Sequence, residues 1–299
     1  MQYTKNPTDI PDQLAKLKLR GLEVEDEQVA LRQLAVVSYF RLANYWNTFE
    51  VNSTTHEFVP GTTLQKVVSL YSFDRDLRGI VFSAIQDVEI ALRTQIIHHF
   101  SMSHGSFWFM DETLFAHQDI FQKCLSNLRT EVHRSREKFI QEYFDNYDSP
   151  SMPPVWKTLE VASFGTLSNL YCNIKDVLCK KAVAASFGLP QYKYLESWMR
   201  CLTVLRNYCA HHARLWNRRF PWKPLLPSKL PSCWIDVKGI LPIKLYVQLS
   251  ALLYLGQGLT PQAEVKRKLL NLLEKQPDAY LKAMGFPTSW RDQELWKFI

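Results

Sequence analysis

The sequence predicts an all-α protein built as a helical bundle, and three observations support that fold class. Apolar residues recur at steps of three and four along most of the 299-residue chain, which is the period of an amphipathic helix. Glycine is scarce, at 10 residues, and this disfavours an architecture of many short strands. Hydrophobic residues make up 46% of the chain, enough for the helices to pack around a substantial core.

The N-terminal half predicts two short helices followed by one long helix. Asp9 or Thr8 can cap the first helix, and a second is expected at about 25–37. From 63 to about 100 the helical period continues with no proline and one glycine. This predicts one very long helix, or two helices kinked near Gly79.

The C-terminal half predicts five further helices. The proline-rich stretches "DSPSMPPVW" and "FPWKPLLPSKLPS" separate them, because proline cannot continue a helix. The expected helices lie at about 119–145, 155–174, 191–215, 241–255 and 261–275.

Several classes of protein are disfavoured by what the sequence lacks. No run of about 18 apolar residues is present and the N-terminus has no leader-like pattern, so we expect a cytoplasmic protein without membrane contact. No phosphate-binding or dinucleotide-binding glycine motif occurs. No C-x-x-C pair occurs either, so we expect reduced thiols and no zinc site at the six cysteines: Cys124, Cys172, Cys179, Cys201, Cys209 and Cys233.

The positive charge of the chain is concentrated in one window. The net charge is +7, from 36 Lys+Arg and 29 Asp+Glu. Between Glu196 and Asp236 there is no acid, and the seven bases of this window equal the whole net charge. Such a positive field attracts polyanions such as RNA. A solvent-exposed surface that carries only positive charge and binds nothing explains the pattern equally well. Residues 129–139 mix both signs and are expected to face solvent, RNA tracking being the lesser alternative.

The segment "RNYCAHHARLWNRR", residues 206–219, lies inside this window. If the helix continues to 215, Asn207 and His211 share one face, and Arg214 and Arg218 follow on the same stripe. The opposite face is apolar and is expected to pack into the bundle.

This polar face suits RNA cleavage by the substrate's own 2′-OH. The reaction needs a proton acceptor, a proton donor and cations on the developing phosphorane. His211 can serve in either proton role, and Arg206 can donate two hydrogen bonds to phosphate oxygens. Asn207 can fix the imidazole tautomer or bond the phosphate. One motif offers few proton-transfer groups, so two copies across a two-fold axis would complete the site.

The segment "RNYCAH" is similar to the R-(polar)-x-x-x-H signature of HEPN-superfamily ribonucleases. Together with "SYFRLANYW", "LYSFDRDLRGIVFSAIQDVEIALR" and "MGFPTSWRDQELW", it makes nearly the whole chain resemble the Abi-like abortive-infection proteins of the AbiD and AbiF group. The resemblance implies a HEPN-type bundle with additional N- and C-terminal helices. It implies a phage-defence toxin, an endoribonuclease that acts as a homodimer without metal or cofactor and leaves 2′,3′-cyclic phosphate ends. A regulatory or antitoxin RNA is a further implied partner.

The resemblance assigns the catalytic positions to Arg206, Asn207 and His211. It divides a single domain, 1–299, into N-terminal helices at 1–60, a HEPN-like core at 61–220 and C-terminal helices at 221–299. Auxiliary or RNA-binding roles extend to further polar residues of the block: His212, Arg214, Asn217, Arg218 and Arg219.

A second Arg-x4-His spacing, Arg93 and His98, raises the question of a second half-site in the same chain. We favour a structural reading, in which Glu89 pairs with Arg93 one turn away on the helix. The resemblance nevertheless makes Glu89 and Arg93 expected neighbours of the main motif. His98, His99 and His104 could bind a metal, but no carboxylate or thiol nearby completes a ligand set, so we expect none.

Two alternatives to an enzyme remain open. The chain could be a non-catalytic RNA-binding or interaction module of a defence or toxin–antitoxin system, using the same basic face. It could also be the partner of a nucleotidyltransferase, with its Arg/His pocket receiving a modification.

Overall fold

A computed structural model describes residues 2, 4, 6–52, 54–259 and 262–297, and within them it confirms the all-α prediction. These residues form thirteen α-helices, and their only strand-type pairing is at three isolated bridges. The helices are α1 (Ile10–Leu19), α2 (Glu27–Val37), α3 (Tyr39–Trp46), α4 (Leu64–His104), α5 (Gln118–Arg134), α6 (Lys138–Asn146), α7 (Val155–Thr158), α8 (Phe164–Asn173), α9 (Val177–Ala185), α10 (Tyr192–Ala210), α11 (Leu245–Leu255), α12 (Gln262–Glu274) and α13 (Asp278–Ala283).

The chain forms two compact units, Met1–Leu77 and Arg78–Ile299. In the first unit the short helices begin at side-chain caps. Asp9 Oδ1 accepts the Asp12 N–H at 2.9 Å, so Asp9 is the cap of α1. Asp26 Oδ1 accepts the Val29 N–H at 3.0 Å and caps α2. Each carboxylate satisfies a backbone donor that has no partner inside the helix, which explains why both helices begin there.

The long helical period produces a single helix, α4, of 41 residues. Gly79 lies within it and does not divide it. A Cβ at Gly79 would meet no atom within 4 Å, so packing does not require a glycine there. In the second unit α4 buries one stripe of apolar residues at three- and four-residue steps: Val81, Ile85, Val88, Leu92, Ile96 and Phe100.

The polar segment predicted as one helix at 119–145 is two helices, α5 and α6. Ser135 ends α5 in an extended conformation, with φ −69° and ψ 134°. Its hydroxyl accepts the Glu137 N–H at 3.2 Å, and its carbonyl accepts Gln141 Nε2 at 3.1 Å. These local bonds compete with the backbone hydrogen bonds of a continuous helix. The helix is therefore interrupted between α5 and α6, although the apolar periodicity of the sequence continues. The short helices α9 and α13 were also not predicted.

The core of the second unit contains α10 and α11. Helix α10 packs against α8, α9 and α11, and every residue of α11 is buried. Two polar side chains of α11 donate hydrogen bonds inside the fold: Ser250 Oγ donates to the Tyr246 carbonyl at 2.9 Å, and Gln248 Nε2 to the Trp222 carbonyl at 3.2 Å. Over the described part of the chain, no helix combines the length and the apolar character needed to cross a membrane.

Candidate functional site

Helix α10 ends at Ala210, five residues before the predicted end at 215. His212 adopts a left-handed conformation, with φ +56°. The turn is closed by Ala213 N–H to the Tyr208 carbonyl at 2.8 Å and by His212 N–H to the Cys209 carbonyl at 3.1 Å. These bonds satisfy carbonyls left free at the helix end.

This helix end corrects the predicted polar stripe. Arg214 and Arg218 lie beyond α10, so they do not extend the face of Asn207 and His211. The chain turns away because Leu215 and Trp216 are buried, and Trp216 Nε1 donates to the Tyr280 carbonyl at 3.3 Å.

The three motif residues lie at the C-terminal end of α10 and differ in exposure. Asn207 and His211 are exposed, and the His211 N–H donates to the Asn207 carbonyl at 3.0 Å. The side chain of Arg206 is 36% exposed, and its guanidinium lies 5.8 Å from the ring centre of Phe82. The His211 imidazole is therefore open to solvent, whereas the Arg206 side chain is partly buried and its guanidinium lies near the Phe82 ring.

Glu89 of α4 lies between two arginines. Its Oε2 is 4.0 Å from Arg206 Nε, and its Oε1 is 3.0 Å from an Arg93 terminal nitrogen. The predicted Glu89–Arg93 pair on one helix is thus confirmed, and the pair lies next to the motif arginine. Although the sequence around the motif contains no acid, the fold supplies a carboxylate to it.

Arg93 is used to join α4 to the chain that follows α7. Its two terminal nitrogens donate to the Glu160 carbonyl at 3.2 Å and to the Ala162 carbonyl at 2.9 Å. His98 is exposed beside His99, with ring centres 5.1 Å apart. These contacts support the structural reading of Arg93.

The environment of Glu89 opposes its ionisation. Burial raises the pKa of this carboxyl above its ordinary value, and the neighbouring Arg93 and Arg206 only partly offset the increase. The carboxylate is 14% exposed, so its charge is stabilised by the arginines rather than by water.

A groove of about 720 Å³ opens beside Arg206. It lies against the α5–α6 break, in the segment 129–139 for which solvent exposure was the favoured prediction and RNA tracking the lesser one. The groove carries charges of both signs, so it is not the uniformly basic surface that the composition suggests. Its charged lining residues are Glu89, Glu131, Glu137, Glu160, Arg134, Arg136 and Arg206.

The segment after α10 is held by internal contacts at several of the predicted RNA-binding positions. The Arg218 guanidinium lies 4.3 Å from the ring centre of Tyr208, and its Nε donates to the Arg214 carbonyl. Asn217 Oδ1 accepts Lys244 Nζ at 2.9 Å. Arg219 is exposed. Of these residues, Arg219 is therefore the one most accessible to a polyanion.

Lys244 is a cation of this region that the motif did not reveal. Its ammonium also donates to the Ala283 carbonyl at 2.8 Å. Burial lowers the pKa of Lys244, and the positive charges of Arg219 and Arg214 lower it further. No local pattern marks Lys244, because it lies 27 residues from Asn217 in the chain.

The expectation that no carboxylate or thiol accompanies the histidines of α4 is wrong for His104. Asp176 and Cys179, at the start of α9, lie beside it, and one potential ligand atom from each of the three lies within 4.8 Å of the others. The sequence separation of 72 residues between His104 and Asp176 hid this cluster. None of the six cysteines, all of which lie in the described part of the chain, forms a disulfide bond.

Comparison with known proteins gives one family match. The model of a family described as Abi-like protein matches residues 32–217, from within α2 to just beyond the motif. No curated protein matches the chain. No solved structure matches it either.

Proposed function

The chain belongs to the Abi-like protein family, and we propose that it acts in abortive infection, a phage-defence response, as a metal-independent endoribonuclease. Within this proposal it is a cytoplasmic HEPN-type toxin of the AbiD and AbiF group. Its substrate is RNA, it requires no cofactor, and it acts as a homodimer. A regulatory or antitoxin RNA restrains it between infections.

The observation that supports this proposal best is the placement of the R-N-x-x-x-H segment at the exposed end of α10. Asn207 and His211 face solvent, where a polymer too large for an enclosed pocket can reach them. Arg206 is anchored by the Glu89 carboxylate 4.0 Å from its Nε, yet its side chain is still 36% exposed. A partly exposed guanidinium and an exposed imidazole at the end of one helix suit the binding of a scissile phosphate.

In the proposed reaction His211 accepts the proton of the ribose 2′-OH, whose oxygen then attacks the adjacent phosphorus. The bond from phosphorus to the 5′-oxygen breaks, and that oxygen takes a proton from a second imidazole, His211 of the partner subunit. The products are a 2′,3′-cyclic phosphate and a 5′-hydroxyl. Arg206 neutralises the charge that develops on the phosphorane, and Asn207 bonds a phosphate oxygen.

Glu89 is a positioning residue in this scheme. Its carboxylate receives Arg93 on one side and faces Arg206 on the other. Because Arg93 is itself fixed to two carbonyls after α7, Glu89 is held rigidly, and it limits the orientations open to Arg206.

The test is cleavage of a defined RNA by purified protein in the presence of EDTA, followed by analysis of the RNA ends. Wild type is expected to produce 2′,3′-cyclic phosphate ends. His211→Ala is expected to lose about 10²-fold or more in rate, because general acid–base catalysis contributes that much. His117→Ala is the matched control, because it removes an exposed imidazole outside the motif, and it is expected to cut at close to the wild-type rate. Equal cleavage by His211→Ala and wild type would exclude the mechanism.

A second candidate function is a non-catalytic RNA-binding module. It is favoured by the absence of acids at residues 197–235 and by the exposure of Arg219. Fluorescence anisotropy with a labelled RNA separates the two functions. In the binding module Arg206→Ala and His211→Ala lose affinity and wild type leaves the RNA intact. In the ribonuclease His211→Ala loses cleavage while RNA affinity is largely kept.

A further inference from the structure

The end of α4 and the start of α9 bring together three side chains of different chemistry. His104 is the last residue of α4, Asp176 is the cap of α9, and Cys179 lies in the first turn of α9. His104 Nε2 is 2.8 Å from Asp176 Oδ2. One nitrogen, one oxygen and one sulfur lie within 4.8 Å of one another.

We propose that His104, Asp176 and Cys179 bind a divalent transition-metal ion, with Zn²⁺ as the preferred occupant. Imidazole nitrogen, carboxylate oxygen and thiolate sulfur are the ligands that Zn²⁺ takes in proteins. The soft thiolate disfavours Mg²⁺ and Ca²⁺, which select oxygen ligands. On binding, the Cys179 thiol gives its proton to solvent. Two anionic ligands and one neutral ligand then cancel the charge of the cation.

The ligands are oriented by contacts outside the cluster. Asp176 Oδ1 accepts the backbone N–H groups of Leu178 and Cys179 at 2.8 and 3.0 Å, which leaves Oδ2 directed at His104. The Cys179 thiol donates to Ser103 Oγ at 3.2 Å and to the His99 carbonyl at 3.7 Å. Once the thiol has lost its proton, the Ser103 hydroxyl can donate to the thiolate. Hydrogen bonds from such neighbouring groups to the ligands strengthen metal binding.

The site is open on one side. The side chains of His104 and Asp176 are 25% and 21% exposed, so an ion can enter, whereas Cys179 is buried. Bonds of about 2.0–2.3 Å in a tetrahedral site place ligand atoms roughly 3.3–3.8 Å apart. His104 Nε2 and Asp176 Oδ2, which are 2.8 Å apart, therefore need to separate by about 0.5 Å, and a pair at the 4.8 Å limit needs to approach by about 1.0–1.5 Å. The fourth position is available to water.

This site is separate from the motif at the end of α10. His104 lies fifteen residues beyond Glu89 on α4, roughly 22 Å along the helix axis. The ion would join the C-terminal end of α4 to the N-terminal end of α9, which makes it a stabilising clamp of the second unit. The inference does not depend on ribonuclease activity.

The experiment is a Co²⁺ titration of the full chain, stripped of metal and kept reduced, followed by absorption spectroscopy. We expect one Co²⁺ per chain and a near-ultraviolet thiolate-to-cobalt charge-transfer band. Added Zn²⁺ is expected to displace the Co²⁺ and abolish the band. Zn²⁺ is also expected to raise the melting temperature. Cys179→Ser is expected to lose the band, and Cys233→Ser, which removes the exposed cysteine, is expected to keep it.

Asp176→Asn covers the case in which Cys179→Ser does not fold. Asparagine is as good a helix cap as aspartate, so this variant keeps the start of α9 and removes one anionic ligand. We expect Co²⁺ affinity to fall at least tenfold while the circular dichroism spectrum is unchanged. No band in wild type, a band that persists in folded Cys179→Ser, or unchanged affinity in Asp176→Asn would each overturn the proposal.

Discussion

Glu89 shows how a single buried charge connects packing to the candidate site. It is 14% exposed and lies between Arg93, which is 11% exposed, and Arg206. Removing one partner of a buried ion pair is costly, because the remaining charge stays out of water without compensation. The stability of this region and the orientation of Arg206 therefore depend on the same carboxylate.

Glu89→Ala is expected to destabilise the protein by about 3 kcal/mol, the lower end of the range for breaking a buried pair. Glu89→Gln keeps an oxygen that can accept Arg93 and removes the cost of burying a charge, so its loss should be less than half as large. Urea unfolding of both variants measures the difference. Equal stability of Glu89→Ala and wild type would show that the buried pair contributes nothing.

The pH dependence of stability gives the sign of the Glu89 contribution. Since burial raises its pKa, the folded chain holds this proton more tightly than the unfolded chain does. Stability from Glu89 is therefore greatest below its ordinary pKa of 4.5, and it is lost as the pH rises through the raised folded value. Glu89→Gln lacks this component. The free energy of unfolding of wild type, minus that of Glu89→Gln, should therefore decrease as the pH rises from 4.5. Urea unfolding of both proteins at several pH values measures this difference.

At the scale of elements, the end of α10 decides which residues accompany His211. The helix stops because His212 adopts φ +56°, a conformation that ordinary side chains rarely take. Glycine or asparagine is the usual residue at such a stop, and neither is present at this position. A histidine in the left-handed region therefore lies next to the predicted catalytic one.

His212→Asn and His212→Val form a matched pair that tests the left-handed conformation at position 212. Both remove the imidazole and its contacts, but asparagine tolerates the left-handed region and a β-branched residue does not. We expect His212→Val to be about 1–2 kcal/mol less stable than His212→Asn. Thermal and urea unfolding provide the comparison. If the two variants had the same stability, the left-handed turn would not form in solution.

At the scale of the second unit, the C-terminal elements hold the segment that follows the motif. Phe220 N–H donates to the Ile243 carbonyl at 2.8 Å, and Lys244 bonds Asn217. These elements are organised around α11 and a group of mutually packed aromatic rings: Tyr246, Phe286, Trp290 and Trp296. The family match ends at 217, so Ile243, Lys244 and this aromatic group lie outside the matched region.

Trp296→Ala is expected to cost about 3–5 kcal/mol, because it empties a fully buried ring position. Trp296 is 1% exposed, stacks on Tyr246 with ring centres 5.4 Å apart, and donates Nε1–H to Ser250 Oγ at 3.1 Å. Lys297→Ala is the neighbouring control, since Lys297 is exposed and pairs with Glu294 at the surface. Its unfolding midpoint should match wild type. A loss in the free energy of unfolding well below this range would mean that α11 is stable without the Trp296 ring packed against it.

Helix starts and long periods could be predicted from the sequence because their signals are local. Asp9 and Asp26 cap α1 and α2 through bonds three residues away, and the unbroken apolar stripe of α4 is contained within its own residues. The breaks at Ser135 and His212 could not be predicted. At Ser135 the side-chain hydroxyl competes with the backbone hydrogen bonds of the helix. At His212 the burial of Leu215 and Trp216 outweighs the cost of a left-handed histidine.

The sequence by itself determined the all-α class, the positions of most helices and the motif spacing of Arg206, Asn207 and His211. Only the tertiary structure decided that Glu89 faces Arg206, that Arg214 and Arg218 leave the helix, and that His104 meets Asp176 and Cys179. Periodicity and capping act over a few residues and are written in the local sequence. Contacts between residues 72 or more positions apart arise when apolar faces are buried together, and no local pattern records them.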